Sequence, residues 1–456
     1  MRALLVVCMA MVLTGIAAAE EGKIIVRADQ PGHPISRYLT GACIEDVNHE
    51  IYGGLYSQMI FGESFQEPPP PDAHSNLSGM WRLVRRGSAE GVCTLEKDRP
   101  FLGKQSQGLR LIAGQGEYGI ENQGLNRWGM YFAGGKPYEG VLWARAEKAV
   151  ELCVALESAD GSKIYAETPL KVDPHQWRRL TFVLTPKATE KKGRFAVLLK
   201  EPGSVELGYV FLQPGAWGRF QGLPVRRDVA EAIRDLGITV LRYGGSMINH
   251  PEYRWKKMIG PRDRRPPYKG TWYPYSTNGW GIMDFLNFCE AAGFLSIPDF
   301  NLNETPQDMA DFLAYANDPA TSPWGQKRAA DGHPEPYRLR CLELGNEQRV
   351  DEAYYEKFKR LAETLWAKDP GLTLVVGDFC YGSPITDPMN VTRSGGRLKN
   401  LLGQQRILQL ARQHDREVWF DVHLGTDGPR PDEFFDGMMS FQDALAKLAG
   451  GARYKV

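Results

Sequence analysis

Apolar residues change period along the chain, and the changes divide it. Residues 23–48 hold two short strand-like runs, the second of which ends near Glu45 and Asp46. The stretch EPPPPD at 67–72 then breaks the pattern, because consecutive prolines can continue neither a helix nor a ladder. From about 73 to 215 the period is two: Val150, Leu152, Val154 and Leu156 alternate in VELCVALE, and Leu180, Phe182 and Leu184 in LTFVLT. Short alternating runs separated by Gly, Asp and Pro predict an antiparallel β-sandwich.

After residue 220 strands alternate with helices. Val229, Ile233 and Leu236 fall at helical spacing before Gly237, and the strand ITVLRYGGS follows. A helix over 280–292 precedes the strand FLSIPDFNLN, and Thr305 with Pro306 opens a helix in TPQDMADFLAYA. The strand CLELGNE, a helix over 351–368, the strand TLVVGDFC, a helix over 399–414, the strand VWFDVHLG, a helix over 434–449 and the start of a strand at RYKV complete the series. Such repetition predicts a parallel sheet covered by helices. An open doubly wound sheet for nucleotides lacks its glycine-rich fingerprint here. Polar residues cluster instead where strands end: Glu45 and Asp46, Arg242 and Tyr243, Asn301 and Asn303, Asn346 and Glu347, Asp378, Asp421 and His423. A barrel builds its site at that face. The expected fold is therefore α/β: a (β/α)8 TIM-type barrel, incomplete at its carboxyl end, carrying an inserted antiparallel β-sandwich domain. Its expected divisions are a signal peptide at 1–19, an amino-terminal segment with the first barrel strand at 20–72, the carbohydrate-binding-like sandwich at 73–215 and the barrel at 216–456.

Charge removes some partners from consideration. With 55 basic and 55 acidic residues the chain offers no electrostatic footprint for nucleic acid or an anionic membrane. The basic run PRDRRPP at 261–267 is expected to be a solvated loop. Met1–Ala19 has the charge, apolar stretch and small residues of a secretory leader, which implies a secreted or periplasmic protein. The six remaining cysteines lack CxxC spacing, so free buried thiols are expected and no metal site. Trp81, Trp128, Trp143 and Trp177 are expected mainly in the sandwich core, with one or two open to sugar stacking.

Four segments carry a resemblance: GACIEDVNHEIYGGLYSQMIFGESF, GRFQGLPVRRDVAEAIRDLGITVLRYGGS, RWKKMIGP and NDPATSPWGQKRAADGHPEPYRLRCLELGNEQ. Through them most of the chain after Ala19 resembles the α-L-arabinofuranosidases of glycoside hydrolase family 51, within the clan of retaining (β/α)8 hydrolases. The resemblance implies hydrolysis of an arabinofuranosyl linkage in a plant-type polysaccharide or oligosaccharide, such as arabinan or hemicellulose, without cofactor or metal. It implies Glu347 as the general acid/base and Asn346 as the partner of a sugar hydroxyl. Glu45 would hold the arabinose ring, Trp272 would form an aromatic floor, and His423 and Asn301 would bind substrate. Arg242 is expected to be an ion-pair partner beneath the site. The chain departs from the family where Gly244, Gly245 and Ser246 follow Tyr243 directly, without the family's Pro and Asn, and where Gly425 stands in place of a Tyr. The family's nucleophile, a Glu ending the seventh strand, is expected beyond Val456, so the 456 residues alone are expected to be inactive. A retaining hydrolase of xylan or β-glucan, and a non-catalytic glycan-binding protein, remain alternatives. Oligomeric state is not legible.

Overall fold

The computed structural model describes residues 25–30, 32, 35–47, 49–71, 76–379, 387–389, 393–394, 397–398, 400–423 and 431–456. The leader, Cys380 and Gly425 lie outside the described residues. Residues Met1–Leu39 and Thr40–Val456 form two compact units, and the parallel sheet, the sandwich and the strand-end polar residues all belong to the second.

Seven parallel strands pair in chain order: β1 (Gly41–Ile44), β2 (Val240–Tyr243), β3 (Leu295–Phe300), β4 (Cys341–Leu344), β5 (Thr373–Val376), β6 (Glu417–Phe420) and β7 (Arg453–Lys455). Every expected strand of this series is present, whereas in the first strand-like run of 23–48 the described residues 25–30 form no strand. Among the helices connecting them are α1 (Arg227–Asp235), α2 (Ile282–Ala292), α3 (Pro306–Asn317), α4 (Pro323–Ala330), α5 (Glu352–Lys368), α6 (Leu402–Gln413) and α7 (Pro431–Leu448). Thr305 caps α3 as expected, its side chain accepting from the Asp308 amide. Helix α4 is additional to the expected set. It is short, with a glycine in its first turn and few apolar residues to mark a period, and its start is fixed by Ser322 accepting from the Gly325 amide.

The sheet is rolled. In a flat sheet β2 and β6, four steps apart, would be separated by about 19 Å. Yet Arg242 Nε at the end of β2 lies 3.4 Å from Asp421 Oδ2, just past β6. Seven strands in chain order, curled so that their inner faces meet, make a rolled parallel sheet of the kind the expected barrel would contain.

Between β1 and β2 stands the sandwich, spanning Trp81–Pro214 in two antiparallel sheets. The alternation in VELCVALE holds for Leu152, Val154 and Leu156, which enter the inter-sheet core. The opposite face is covered too, where Cys153 and Ala155 pack with Val84, Ala196 and Leu198. Trp81 and Trp143 are buried, Trp177 is half-buried, and Trp128 is 67% exposed. Trp143, Tyr209 and Phe211 belong to the same apolar cluster as the barrel core, so the sandwich is built into the barrel's flank. Trp143 Nε1 and Arg179 Nε both donate to Asp263, at 2.9 and 2.8 Å, and the Arg264 guanidinium lies 3.9 Å over the Trp143 ring.

These contacts correct the reading of PRDRRPP as a solvated loop. Asp263 and Arg265 are buried, and Arg262 and Arg265 both bind the buried Asp284 carboxylate of α2, at 2.9 and 2.7 Å. Burial pushes the Asp284 pKa up, but the two guanidinium charges outweigh it and hold the carboxyl below its usual value. Removing one partner from such a buried group leaves uncompensated charge. Asp284→Ala is therefore expected to cost about 3–5 kcal/mol, read as a lower urea midpoint with unchanged slope; a loss below about 1 kcal/mol would make the cluster peripheral.

Candidate active site

Glu45 follows β1 and Arg242 lies within β2, while Asn346 and Glu347 follow β4 and Asp421 and His423 follow β6. Their side chains form two groups at the carboxyl ends of the strands.

The first group centres on Glu45. Its Oε2 accepts from the Ser246 amide at 2.7 Å and from Trp272 Nε1 at 3.2 Å, which leaves the indole ring 49% exposed. Gly245 makes this approach possible: its φ is 60°, and a Cβ there would lie 2.3 Å from Glu45 Oε2. Where the family carries Asn, Ser246 supplies a backbone N–H to the carboxylate.

The second group centres on Arg242. Its guanidinium donates to Glu343 Oε1 at 2.9 Å, to Asp299 Oδ2 at 3.2 Å and to Asn346 Oδ1 at 2.8 Å, and it approaches Asp421. Asp299 and Glu343 are register partners on β3 and β4, so two buried carboxyls stand side by side. Burial pushes both up, Glu343 to about 8 and Asp299 well above its usual range. Asp299 Oδ1 is buried without a hydrogen-bond partner, a position a neutral carboxyl tolerates better than an anion. Asp421 behaves oppositely: burial raises it, but bonds from His423 and the charge of Arg242 hold it below its ordinary value. The charge thus settles on Asp421.

From Asp421 the network runs outward. His423 Nε2 bonds Asp421 Oδ2 at 3.0 Å, and Nδ1 bonds Glu347 Oε1 at 3.1 Å. Asp421 as an anion only accepts, so Nε2 carries hydrogen. The contact between Nδ1 and Glu347 then needs one proton, placed on either partner. That shared proton is what a general acid delivers. Glu347 itself has φ 50°, a left-handed conformation uncommon outside glycine, and its side chain is 37% exposed. The turn is clamped because the Gln348 amide donates to Gly377 O, and a Cβ on Gly377 would lie 1.7 Å from Gly345 O.

Asn346 is buried, and because Arg242 can only donate, the amide oxygen must face it. The Asn346 NH2 is thereby turned away from the guanidinium. Asn301 is placed differently from its expected role: Nδ2 donates to Ile248 O and His250 O at 2.6 and 2.9 Å, so the side chain pins the loop after β2. Asp378 likewise leaves the mouth, accepting from Gln404 of α6 at 2.8 Å. Glu343, Asp299 and Asn249 escaped the sequence reading. The two acids were legible as charges inside the buried runs CLEL and LSIPDF. Asn249, which donates to Asn346 O at 3.3 Å, carried no such signal. Among the described residues no group of three His, Cys, Asp or Glu is arranged to hold a metal. Cys93, Cys153, Cys289 and Cys341 are free and buried as expected, whereas Cys43 is exposed.

The Asp421 bond lifts the His423 pKa above its ordinary 6.5. A raised folded-state value favours the protonated fold, so this contribution is full below about pH 6.5 and is lost as pH rises through the folded-state pKa. NMR titration of the His423 ring is expected to show a value above 6.5 that falls in Asp421→Asn. An unshifted imidazole in wild type would rule out the pairing of His423 with an anionic Asp421.

The alpha-L-arabinofuranosidase 1 domain pattern matches residues 232–383, which covers the second through fifth strands and Glu347. An extracellular exo-α-L-arabinofuranosidase of Streptomyces chartreusis is 29% identical over 408 residues, 81% of this chain and 48% of the relative. Alpha-L-arabinofuranosidase 1 of Arabidopsis thaliana is 28% identical over 354 residues, 71% of this chain and 51% of the relative. The chain spans about half the length of these curated relatives. In fold it is similar to the solved arabinose-bound family 51 α-L-arabinofuranosidase MgGH51, with a TM-score of 0.68 and 20% identity over 93% of this chain and 75% of that one. Motifs, fold and relatives agree, and the chain is similar to the α-L-arabinofuranosidases of glycoside hydrolase family 51.

Proposed function

We propose that the chain supplies the acid/base half of a secreted, retaining α-L-arabinofuranosidase site that releases arabinofuranosyl groups from a polysaccharide. The observation that carries this reading is the 3.1 Å contact between His423 Nδ1 and Glu347 Oε1 at an exposed strand end, a contact that has to hold one proton. Glu347 gives that proton to the departing glycosidic oxygen and is left as a carboxylate opposite a neutral His423 whose hydrogen stays on Nε2, ready to take a proton from the water of the second step. Asn346 presents its NH2 to a hydroxyl beside the reacting carbon, while Glu45 accepts from ring hydroxyls above the Trp272 face. Secretion is supported by the leader-like Met1–Ala19 and by the relative named extracellular. No helix among the described residues is long and apolar enough to cross a membrane.

Retention needs a second carboxyl about 5 Å from the first, attacking carbon. Asp421 does not fit that role, because His423 stands between it and Glu347 and Arg242 stabilises its anion. The 456-residue chain is accordingly expected to bind L-arabinose without turning over an aryl α-L-arabinofuranoside. Turnover with retention by this chain, abolished by Glu347→Gln, would show that a described carboxylate is the nucleophile.

In the protein that does turn over, Glu347→Ala is expected to slow natural linkages by about 10²–10⁴ and aryl glycosides with good leaving groups far less, because only poor leaving groups need protonation. Equal losses on both substrate types, measured as kcat/KM, would remove the acid role.

A further inference from the structure

A second cleft, of about 660 Å³, lies where the sandwich meets the start of α1. That size is within the range of about 300–1,000 Å³ typical of small-ligand sites. Its sandwich side carries Trp128 and Tyr131, 67% and 54% exposed, where aromatic rings of this size are ordinarily buried. The backbone works to hold them out. Asn126 and Arg127 adopt φ 50° and 56°, unfavourable for non-glycine residues, immediately before Trp128. The loop is fixed at its base: the Gly124 amide donates to Asn122 Oδ1 at 2.8 Å, the Gly129 amide to Gln123 O at 3.0 Å, and Arg127 pairs with Glu121. Tyr138 donates to Tyr131 O at 3.1 Å and meets Trp217 edge-on at 5.6 Å, so the wall behind is also set.

The opposite rim identifies the ligand's chemistry. Arg226 pairs with Asp228 at 2.6 Å and Arg227 with Glu231 at 2.7 Å, each cation with a carboxylate beside it. The rim therefore has no excess charge to attract an anion or a cation. It keeps spare donors on both guanidinium groups and spare acceptor capacity on both carboxylates, which suits hydroxyl groups that donate and accept at once. Exposed, rigid aromatic faces opposite a balanced polar rim fit an uncharged sugar chain, whose rings offer C–H faces and equatorial hydroxyls.

We propose that this cleft is a second glycan-binding site, taking the neutral main chain of a polysaccharide on Trp128 and Tyr131. The source of that ligand, though not the site, rests on the glycosidase reading above. Native affinity electrophoresis of the whole chain in gels containing arabinoxylan, linear arabinan or polygalacturonate tests it without requiring turnover. Wild type and Glu347→Ala are expected to be retarded alike by a neutral polysaccharide, so failure of the catalytic reading leaves the result intact. Trp128→Ala and Tyr131→Ala are each expected to weaken the apparent affinity about tenfold, with Trp128→Phe recovering most of it. The proposal is overturned if wild type is not retarded by either neutral polymer, if the alanine variants bind as wild type does, or if polygalacturonate retards the chain more strongly. A change in sedimentation of the ligand-free Trp128→Ala chain would overturn it as well, by making this face a protein interface.

Discussion

One guanidinium surrounded by three carboxyl groups organises this barrel. Arg242 extends from the second strand and touches groups on the third, fourth and sixth, so the curl of the sheet and the chemistry at its mouth share a single fastening. Three anions around one cation in a buried space cannot all stay charged. Burial pushes the Glu343 and Asp299 carboxyls up, while Asp421, less buried, is held below its ordinary value by His423 and Arg242. Two consequences reach the surface. Arg242 fixes which end of the Asn346 amide faces outward, and the anionic Asp421 fixes which nitrogen of His423 carries hydrogen. Both follow from donor and acceptor identity and need no fine adjustment of distance.

The Glu45 half of the mouth is held by different means. Glu45 is gripped by a backbone amide and an indole N–H, both contributed by the long loop after β2. That loop is anchored below by Asn301 and at its far end by Asp263 and Asp284, which tie it to the sandwich and to α2. The insert therefore takes part in shaping the site, because the loop that carries Trp272 also carries Asp263 and Arg264, against which the sandwich packs. Where the family places Pro and Asn around the paired glycines, this chain relies on Gly245 to let the loop close on Glu45. A missing hydrogen bond to a sugar hydroxyl alters discrimination between substrates by several kcal/mol, so on the proposed reading Ser246 is where substrate preference is expected to depart from the family's.

Much of this was legible in the amino-acid sequence, for physical reasons. The strands β1–β7 were visible because a buried parallel strand is a short apolar run and the helices between them repeat at a different period. Glu347, Asn346, Glu45, Trp272 and His423 were visible because they sit where those runs end, within motifs that resemble a family. What stayed hidden depends on partners distant in sequence. PRDRRPP reads as a hydrophilic loop until Asp284 and Trp143 are brought against it. Glu343 interrupts an apolar strand without revealing that Arg242, about 100 residues earlier, neutralises the same interior. Asn301 and Asp378 stand at strand ends like the site residues, but their side chains turn to a loop and a helix, a choice of direction that position alone does not specify. Helix α4 was hidden because its stability comes from its cap and its neighbours, with little amphipathic pattern of its own.

The control of the barrel mouth by Arg242 is tested most directly by a crystal structure of the chain with L-arabinose bound. The sugar is expected over the Trp272 ring, with hydroxyls on Glu45 and on the Asn346 NH2, and with its anomeric oxygen within hydrogen-bond reach of Glu347. Arabinose bound away from these residues, or an Asn346 amide turned so that its oxygen faces the sugar, would contradict the arrangement that Arg242 imposes.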